Sequence, residues 1–399
     1  MRPIVKPALP RLWRDRQTLQ LGSDPGSALV LTGLDAPAVR LLDLLDGSLD
    51  RDAILAAADT TGERERIEAL LDLLADAGAL EDAGTATVQL RALDASERDR
   101  LAPDLAALSL AMPEAGGAAA VLGVRQRAIV RVVGAGRVGA PLAAHLAAAG
   151  IGTVSVADDA PATMADVAVG GVTRDDTGAA RCVAAQRAVR RVTGGAGSGP
   201  VPPPGQCPDL VVVAPVGART GGPTRQLVEA GIAHLPVRVT GSRAVIGPLV
   251  LPGATSCLSC ADLHRADRDP AWPLMVAQLS APAPGLQEAV DGTLAAAAAA
   301  HAALLALDFL DDLFRPGSGS ARPITVNGTL ELARPGWKWR RRSWLPHSRC
   351  HCRYAEWAPR PGSTFVPEWV AASAPNRHLS AGSASDRHPQ RDSGVVRRE

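Results

Sequence analysis

The sequence predicts an α/β protein built on a Rossmann-like, mostly parallel sheet stapled by a structural zinc, with a small α+β domain in front of it. Three observations carry that expectation: a βαβ unit around a glycine-rich turn, further strand and helix alternation behind it, and two cysteine pairs far apart in the chain.

The βαβ unit spans residues 128–159. A β-branched run, Ile129 to Val133, meets Gly134-x-Gly136-x-x-Gly139. An Ala/Leu-rich helix closed by Gly150 follows, and a second apolar run ends at Asp158 and Asp159. Gly134 permits the tight turn, Gly136 lets a phosphate approach the backbone, and Gly139 lets the helix pack closely on the strand. The first N–H groups of that helix suit an anion, and Asp158, about 20 residues on, can accept from a ribose hydroxyl. Such a unit argues for a nucleotide-binding-type fold, although a fold alone does not establish an occupied site.

Composition sets the outer bounds. The chain has 399 residues, enough for two or three domains, and 46% of them are apolar. Only 3% are aromatic, so the cores must be Leu, Val and Ala packed closely. A net charge of +1 gives no general electrostatic case for nucleic acid or an anionic membrane. The start carries Arg2, Lys6, Arg11 and three prolines with no apolar signal segment. The longest bland stretch, Leu294 to Leu307, falls short of the roughly 20 residues that cross a bilayer. A cytoplasmic, reducing setting is the expectation.

Residues 12–21 and 28–34 read as strands separated by a Gly-Ser-Asp-Pro-Gly turn. Three short helices follow, from Asp35 to Gly47, over about Arg51 to Ala58, and from Glu63 to Ala77. The third puts Ile67, Leu70, Leu71 and Leu74 on one face, with Gly78 as its C-cap. Residues 86–111 are expected to hold a strand and then a helical stretch, Ala95 to Ala111, broken at Pro103. Glu114 to Ala120 reads as a linker and a domain boundary. Behind the βαβ unit come a helix over Ala179 to Arg191, a loop over 194–206, a buried strand over Asp209 to Ala214, and a helix over Pro223 to Ala230. Strands over Leu235 to Thr240 and Ala244 to Leu251 extend the sheet. A long helix, Leu286 to Phe314, precedes antiparallel strands over Pro323 to Leu332 and Trp337 to Trp344. Ala374 to Glu399 is expected to be disordered.

Cys257-x-x-Cys260 and Cys350-x-Cys352 supply four thiolates, the closed tetrahedral shell of a structural zinc. The second pair is closer than usual, so His347 or His351 is an alternative ligand, and four free cysteines are the bland alternative. Cys182 and Cys207 lack a nearby base and read as incidental rather than thiol-transfer residues. His301 reads as a tolerated helix residue. The run from Lys338 to Trp344 interleaves Arg340, Arg341 and Arg342 with Trp339 and Trp344. It could contact phosphate or an acidic peptide, or be a strand edge defended by charge.

Two resemblances follow from these residues. The element order and Leu-rich third helix of residues 8–84 resemble the PqqD-type, winged-helix peptide-recognition domain, which implies a leader peptide adding a strand to the sheet edge. A packing or dimerisation domain is the alternative. A DNA-binding role is disfavoured, because Glu63, Glu65, Glu68, Asp72 and Asp76 would repel phosphates. Residues 115–353, by the glycine motif, the run to Asp158 and Asp159 and the cysteine pairs, resemble the ThiF-type adenylation superfamily that includes the ubiquitin-activating enzymes. Within it, Cys257 to Pro273 is similar to an actinobacterial, cyclodehydratase-associated, leader-peptide-binding branch. The implied domains are 1–85 for peptide recognition, 86–120 as connection, 121–353 for the adenylation fold, and 354–399 as a tail.

The ThiF resemblance implies ATP, Mg²⁺, a homodimer and a peptide carboxylate activated as an acyl adenylate. Gly134, Gly136, Gly139, Asp158 and Asp159 would then bind nucleotide, Arg181 would stand at the catalytic lysine position, and Cys257, Cys260, Cys350 and Cys352 would hold zinc. The chain departs from that pattern elsewhere. Asp166, Ala168 and Val169 lie where Asn and Arg are expected. Arginine is not interchangeable with lysine at residue 181. Pro215, Val216 and Gly217 stand where an Asp would hold Mg²⁺. The expectation is a protein of ribosomal peptide, bacteriocin-like biosynthesis that binds a precursor leader peptide and presents it to a modifying enzyme such as a cyclodehydratase, with adenylation weak or lost. The rival is an active adenylyltransferase acting on a peptide or sulfur-carrier carboxylate. A nicotinamide-dependent dehydrogenase would leave the cysteine pairs unexplained.

Overall fold

A computed structural model of the chain describes residues 1–357 apart from 25, 27, 60–62, 85–89, 92, 196–205, 217–220, 281–288 and 314–321. The expected strand start near residue 86, the loop over 196–205 and the tail beyond 357 lie outside the described residues.

The N-terminal part holds β1 (Pro3–Val5), β2 (Arg11–Trp13), β3 (Leu19–Leu21) and β4 (Leu29–Leu31), then helices Ala36–Leu44, Arg51–Asp59 and Arg64–Asp76, then β5 (Leu80–Asp82). The sheet order is β2-β3-β4, all antiparallel, while β1 pairs with β5 and ties the two ends together. The single strand expected over 12–21 is two strands. Asp15 Oδ1 accepts from Gln17 N at 2.7 Å, an Asx turn that reverses the chain between them. Asp35 caps its helix by accepting from Ala38 N at 3.1 Å. Leu19, Leu21, Leu41, Leu42, Leu71 and Leu74 form one core beneath the three helices.

Two connecting segments differ from expectation. The helix Ala95–Ala111 runs through Pro103 without a break, losing one backbone bond at an exposed position. The expected linker is largely the helix Gly117–Arg127, whose Ala118, Ala119, Val121 and Leu122 are buried. Its small residues look like linker composition, but they serve close packing: a Cβ on Gly117 would lie 3.0 Å from Met112 Cβ. At its far end Arg125 makes a bidentate pair with Asp311, Nε to Oδ1 at 2.9 Å and a second bond at 2.6 Å, across the core.

The main sheet has β6 (Ile129–Val133), β7 (Thr153–Ala157), β8 (Leu210–Val213), β9 (His234–Thr240), β10 (Arg243–Ile246), β11 (Gly328–Ala333) and β12 (Lys338–Ser343). Its order is β12-β11-β10-β9-β8-β6-β7. The pairs β7/β6, β6/β8 and β8/β9 are parallel, whereas β10, β11 and β12 continue as an antiparallel meander. The parallel strands read as unbroken apolar runs because both faces are covered. The helix Gly292–Leu313 begins later than expected, at Asp291, which accepts from Leu294 N at 2.9 Å. It is the one described helix long and apolar enough to cross a membrane, yet Ala295, Ala298, Ala299, Ala302 and Phe309 are buried against the sheet core. The helix Trp272–Ser280, which the sequence pattern did not suggest, has no buried residue.

The candidate nucleotide pocket and the cysteine centre

β6 delivers the glycine turn to the C-terminal edge of the parallel strands, where ligands bind in open α/β sheets. Gly134 has φ +94°, and a Cβ there would stand 2.2 Å from Ala214 O. A Cβ on Gly139 would stand 1.9 Å from Gly134 O, so that glycine closes the helix onto the strand. Gly136 has a different neighbour: its missing side chain leaves room for Val216, whose Cγ2 lies 2.4 Å from where a Cβ would be. An apolar branch therefore sits against the turn at the strand end where a metal-holding carboxylate was expected.

A cavity of about 660 Å³ opens beside this turn, lined among others by Gly136, Thr163, Asp166, Arg181, Val216 and Asp291. Of the residues expected to bind nucleotide or act in catalysis, Gly136 and Arg181 line it. Gly134 and Gly139 shape the turn behind it. Asp158 is engaged by the backbone, Oδ2 accepting from Ala135 N at 2.9 Å and Oδ1 from Ala160 N at 3.2 Å. Asp159 is exposed, with Oδ1 at 3.9 Å from Cys182 Sγ.

Arg181 stands at the start of the helix Arg181–Thr193. Its Nε is 3.0 Å from Asp166 Oδ2, and its other nitrogen faces Asp158 Oδ2 at 3.8 Å. Asp166 is itself buried as part of a capping box, accepting from Thr163 N at 2.8 Å and Thr163 Oγ1 at 2.9 Å. The guanidinium is thus matched by two carboxylates of its own chain. Sequence reasoning overlooked Arg137, in a variable position of the glycine motif. Its Nε donates to Ala165 O at 2.5 Å and its terminal nitrogen to Val290 O at 3.0 Å, tying two walls of the cavity together.

The cysteines converge in a buried cluster with Val250, against which Val228 and Leu263 pack. Cys257 caps the helix Leu258–Ala266, which carries Cys260, and the turn His351–Tyr354 brings Cys350 and Cys352 alongside. Their sulfurs are 3.9 Å apart for Cys257 and Cys260, 3.6 Å for Cys257 and Cys350, and 3.4 Å for Cys260 and Cys352. A Zn–S bond of about 2.3 Å puts tetrahedral sulfurs about 3.8 Å apart, so this buried set can hold a metal ion such as zinc. Hydrogen bonds from Cys257, Cys350 and Cys352 hold the Cys260 thiol well below the ordinary range. His347, the alternative ligand, has other partners: Nε2 meets Asp267 Oδ2 at 2.8 Å, and Nδ1 accepts from Arg349 N at 3.2 Å. It contributes through its backbone, whose N–H points at Cys260 Sγ at 3.4 Å. His351 is exposed beside the cluster. Cys182 is half-buried and Cys207 exposed, both outside it. His301 stacks on Trp339 with ring centroids 4.3 Å apart.

No family model and no curated protein matches the chain. Solved structures do. E. coli MccB with ATP superposes with a TM-score of 0.60 at 15% identity, covering 88% of this chain and 99% of that one. The chain has the fold of MccB. The microcin C7 biosynthetic enzyme MccB in complex with N-formylated MccA gives 0.59 at 14% identity over 88% and 100% of the two chains. PaaA gives 0.56 at 15% identity over 85% and 99%. The match to nearly the full length of MccB spans the N-terminal part as well as the main sheet.

Proposed function

We propose that the chain is a precursor-peptide-binding protein of ribosomal peptide biosynthesis in which the MccB-like adenylation site is degenerate. The observation that carries this is the arrangement around Arg181: Asp158 and Asp166 already match its charge, and Val216 packs on Gly136. A triphosphate in transfer needs cations that are free to neutralise developing charge. Here the cation is internally compensated, and the position that would hold Mg²⁺ is apolar.

Residues 1–85 serve in this reading as a winged-helix-like leader-peptide module, with β2 as the edge a peptide strand joins; its Leu12 and Trp13 are 43% and 50% exposed. Residues 86–120 connect it to an adenylation-fold domain over 121–353, where zinc on the four cysteines ties the C-terminal segment to the sheet. The protein acts as a homodimer in the cytoplasm and presents the peptide to a modifying enzyme such as a cyclodehydratase, as in the cyclodehydratase-associated branch. MccB is crystallised with ATP in one structure and with N-formylated MccA in another, and an active adenylyltransferase is the second reading, favoured by the 660 Å³ cavity at the glycine turn.

ATP–pyrophosphate exchange by the full chain separates the two. No exchange above the protein-free rate is expected, with and without a candidate precursor peptide; robust exchange overturns the degenerate reading. Titration with a candidate leader peptide tests the N-terminal module, which fails if Trp13→Asp leaves affinity unchanged.

A further inference from the structure

The antiparallel half of the sheet has two unlike faces. Val237, Val239, Ala244, Ile246, Leu330 and Leu332 are buried in the core. On the opposite face the register sets Arg238, Val245, Glu331 and Arg340 in one cross-strand row, and Thr240, Arg243, Ala333 and Lys338 in the next. Arg342 lies opposite Thr329 on the same face. The helices Leu258–Ala266 and Trp272–Ser280 wall one side of this face, leaving a groove of about 350 Å³ lined by Arg238, Arg243, Arg265, Glu331, Trp272 and Leu279 among others.

Charge on this surface is lopsided. Arg238, Arg243, Arg265, Lys338, Arg340 and Arg342 face two carboxylates, Asp262 and Glu331, in a chain whose net charge is only +1. Glu331 is shared, 3.3 Å from Arg243 and 3.3 Å from Arg342, so one carboxylate serves two guanidiniums. Apolar groups adjoin the cations. Leu274 and Leu279 are 65% and 53% exposed on a helix with no buried residue, and Arg265 sits over Trp272 and Trp344 at 5.1 and 4.6 Å from their ring centroids. β12 is the edge strand of the sheet among the described residues, and Lys338 and Arg340 on it are exposed.

We infer that this face docks an acidic peptide segment carrying bulky apolar side chains, its carboxylates on the arginine rows and an apolar side chain in the groove at Trp272 and Leu279. Charge complementarity selects that occupant: Arg265 already pairs with Asp262 at 3.1 Å, but a neutral apolar partner would cover the exposed Lys338 and Arg340 with no carboxylate to meet them, and a second copy of this chain would bring the same positive rows against each other. This interface is separate from the glycine turn and from the N-terminal sheet edge, and it stands or falls without reference to nucleotide turnover.

Fluorescence anisotropy on the full chain tests it with a labelled peptide of about 12 residues alternating glutamate and leucine. Binding is expected to be at least about tenfold tighter than to lysine–leucine or glutamate–serine peptides of the same length, a difference of about 1.4 kcal/mol. Lys338→Glu with Arg340→Glu should weaken it at least about tenfold while the far-ultraviolet spectrum stays unchanged, and Leu279→Glu should do so independently. Unchanged affinity in both variants overturns the inference. So does tighter binding of a single-stranded DNA oligonucleotide than of the acidic peptide, which would make the face a phosphate-binding surface.

Discussion

Arg181 and Asp166 form a buried ion pair, Nε to Oδ2 at 3.0 Å, with side chains only 14% and 5% exposed. The pair closes the loop after β7 onto the helix that follows it, and Asp158 at 3.8 Å adds a second carboxylate. The guanidinium is paired by charge within its own chain, while its buried Nε makes no hydrogen bond among the described residues. Removing one partner from a buried pair strands the other charge and costs about 3–5 kcal/mol. Arg181→Met is therefore expected to lower the unfolding free energy in urea by about 3 kcal/mol, because two carboxylates lose their counter-charge. Asp166→Asn should cost less, since Asp158 still faces the guanidinium. A loss under about 1 kcal/mol for Arg181→Met, the range of an exposed pair, would show that the pair holds nothing together.

The cysteine centre makes a stoichiometric prediction. Four sulfurs 3.4–3.9 Å apart, all buried, match a tetrahedral S₄ shell. Elemental analysis should return about one zinc per chain. Cys352→Ser should reduce that content and loosen the turn His351–Tyr354, where Gly253 N donates to Cys352 O at 3.0 Å. Since metal binding and folding are coupled in such sites, a chelator should lower the thermal midpoint. A metal-free chain with an unchanged midpoint would refute the assignment.

The elements that could be read from the sequence are those whose signal is local. The turn from Gly134 to Gly139, the strands β6 to β9 and the two cysteine pairs announce themselves by period and spacing, and each lies close to where it was expected. Features decided by distant partners were hidden. Gly117–Arg127 has the composition of a linker, and only the docking of its alanines and the Arg125–Asp311 pair makes it a core helix. β1 is proline-flanked and short, and exists because β5 pairs with it. In the candidate site, the sequence gives Arg181 as a charge in place of a lysine. That its charge is already matched follows from the burial of Asp166, which no spacing rule encodes.

Lys6 joins the N-terminal part to the rest. Almost fully buried, its Nζ donates to Ser109 O at 2.5 Å and to Met112 O, at the carbonyl end of the helix Ala95–Ala111. Glu81, beside it, accepts from Ser109 Oγ at 2.7 Å and from Gly116 N. Burial lowers the lysine's pKa, while Glu81 and Glu114 oppose that shift. Lys6→Met keeps the bulk but leaves buried acceptors unpaired, so a loss of about 3 kcal/mol is expected in urea unfolding. Combined with Glu81→Gln, the loss should be smaller than the sum of the singles, because the neutral amide no longer needs the cation. Additivity within about 0.3 kcal/mol would show that the two residues do not act as a unit.

His234 predicts a pH dependence. Its ring, at the start of β9, is fully buried, with Nδ1 2.9 Å from Ile232 O and no hydrogen-bond partner on Nε2 among the described residues. Burial disfavours the imidazolium and pulls its pKa down to about 4, with the carbonyl of Ile232 opposing part of that shift. The unfolded chain takes up this proton near its ordinary value of 6.5, whereas the folded chain resists until about pH 4. Between those values the unfolded state binds more protons, so acidification favours unfolding. The histidine's full contribution to stability is present above about pH 6.5 and is lost progressively down to about pH 4, with a size on the order of 3 kcal/mol. Urea midpoints measured from pH 7.5 to 4.5 should therefore fall more steeply for the unaltered chain than for His234→Gln, which cannot titrate. Parallel slopes would mean that His234 is protonated in the folded protein, and that water or a carboxylate reaches Nε2.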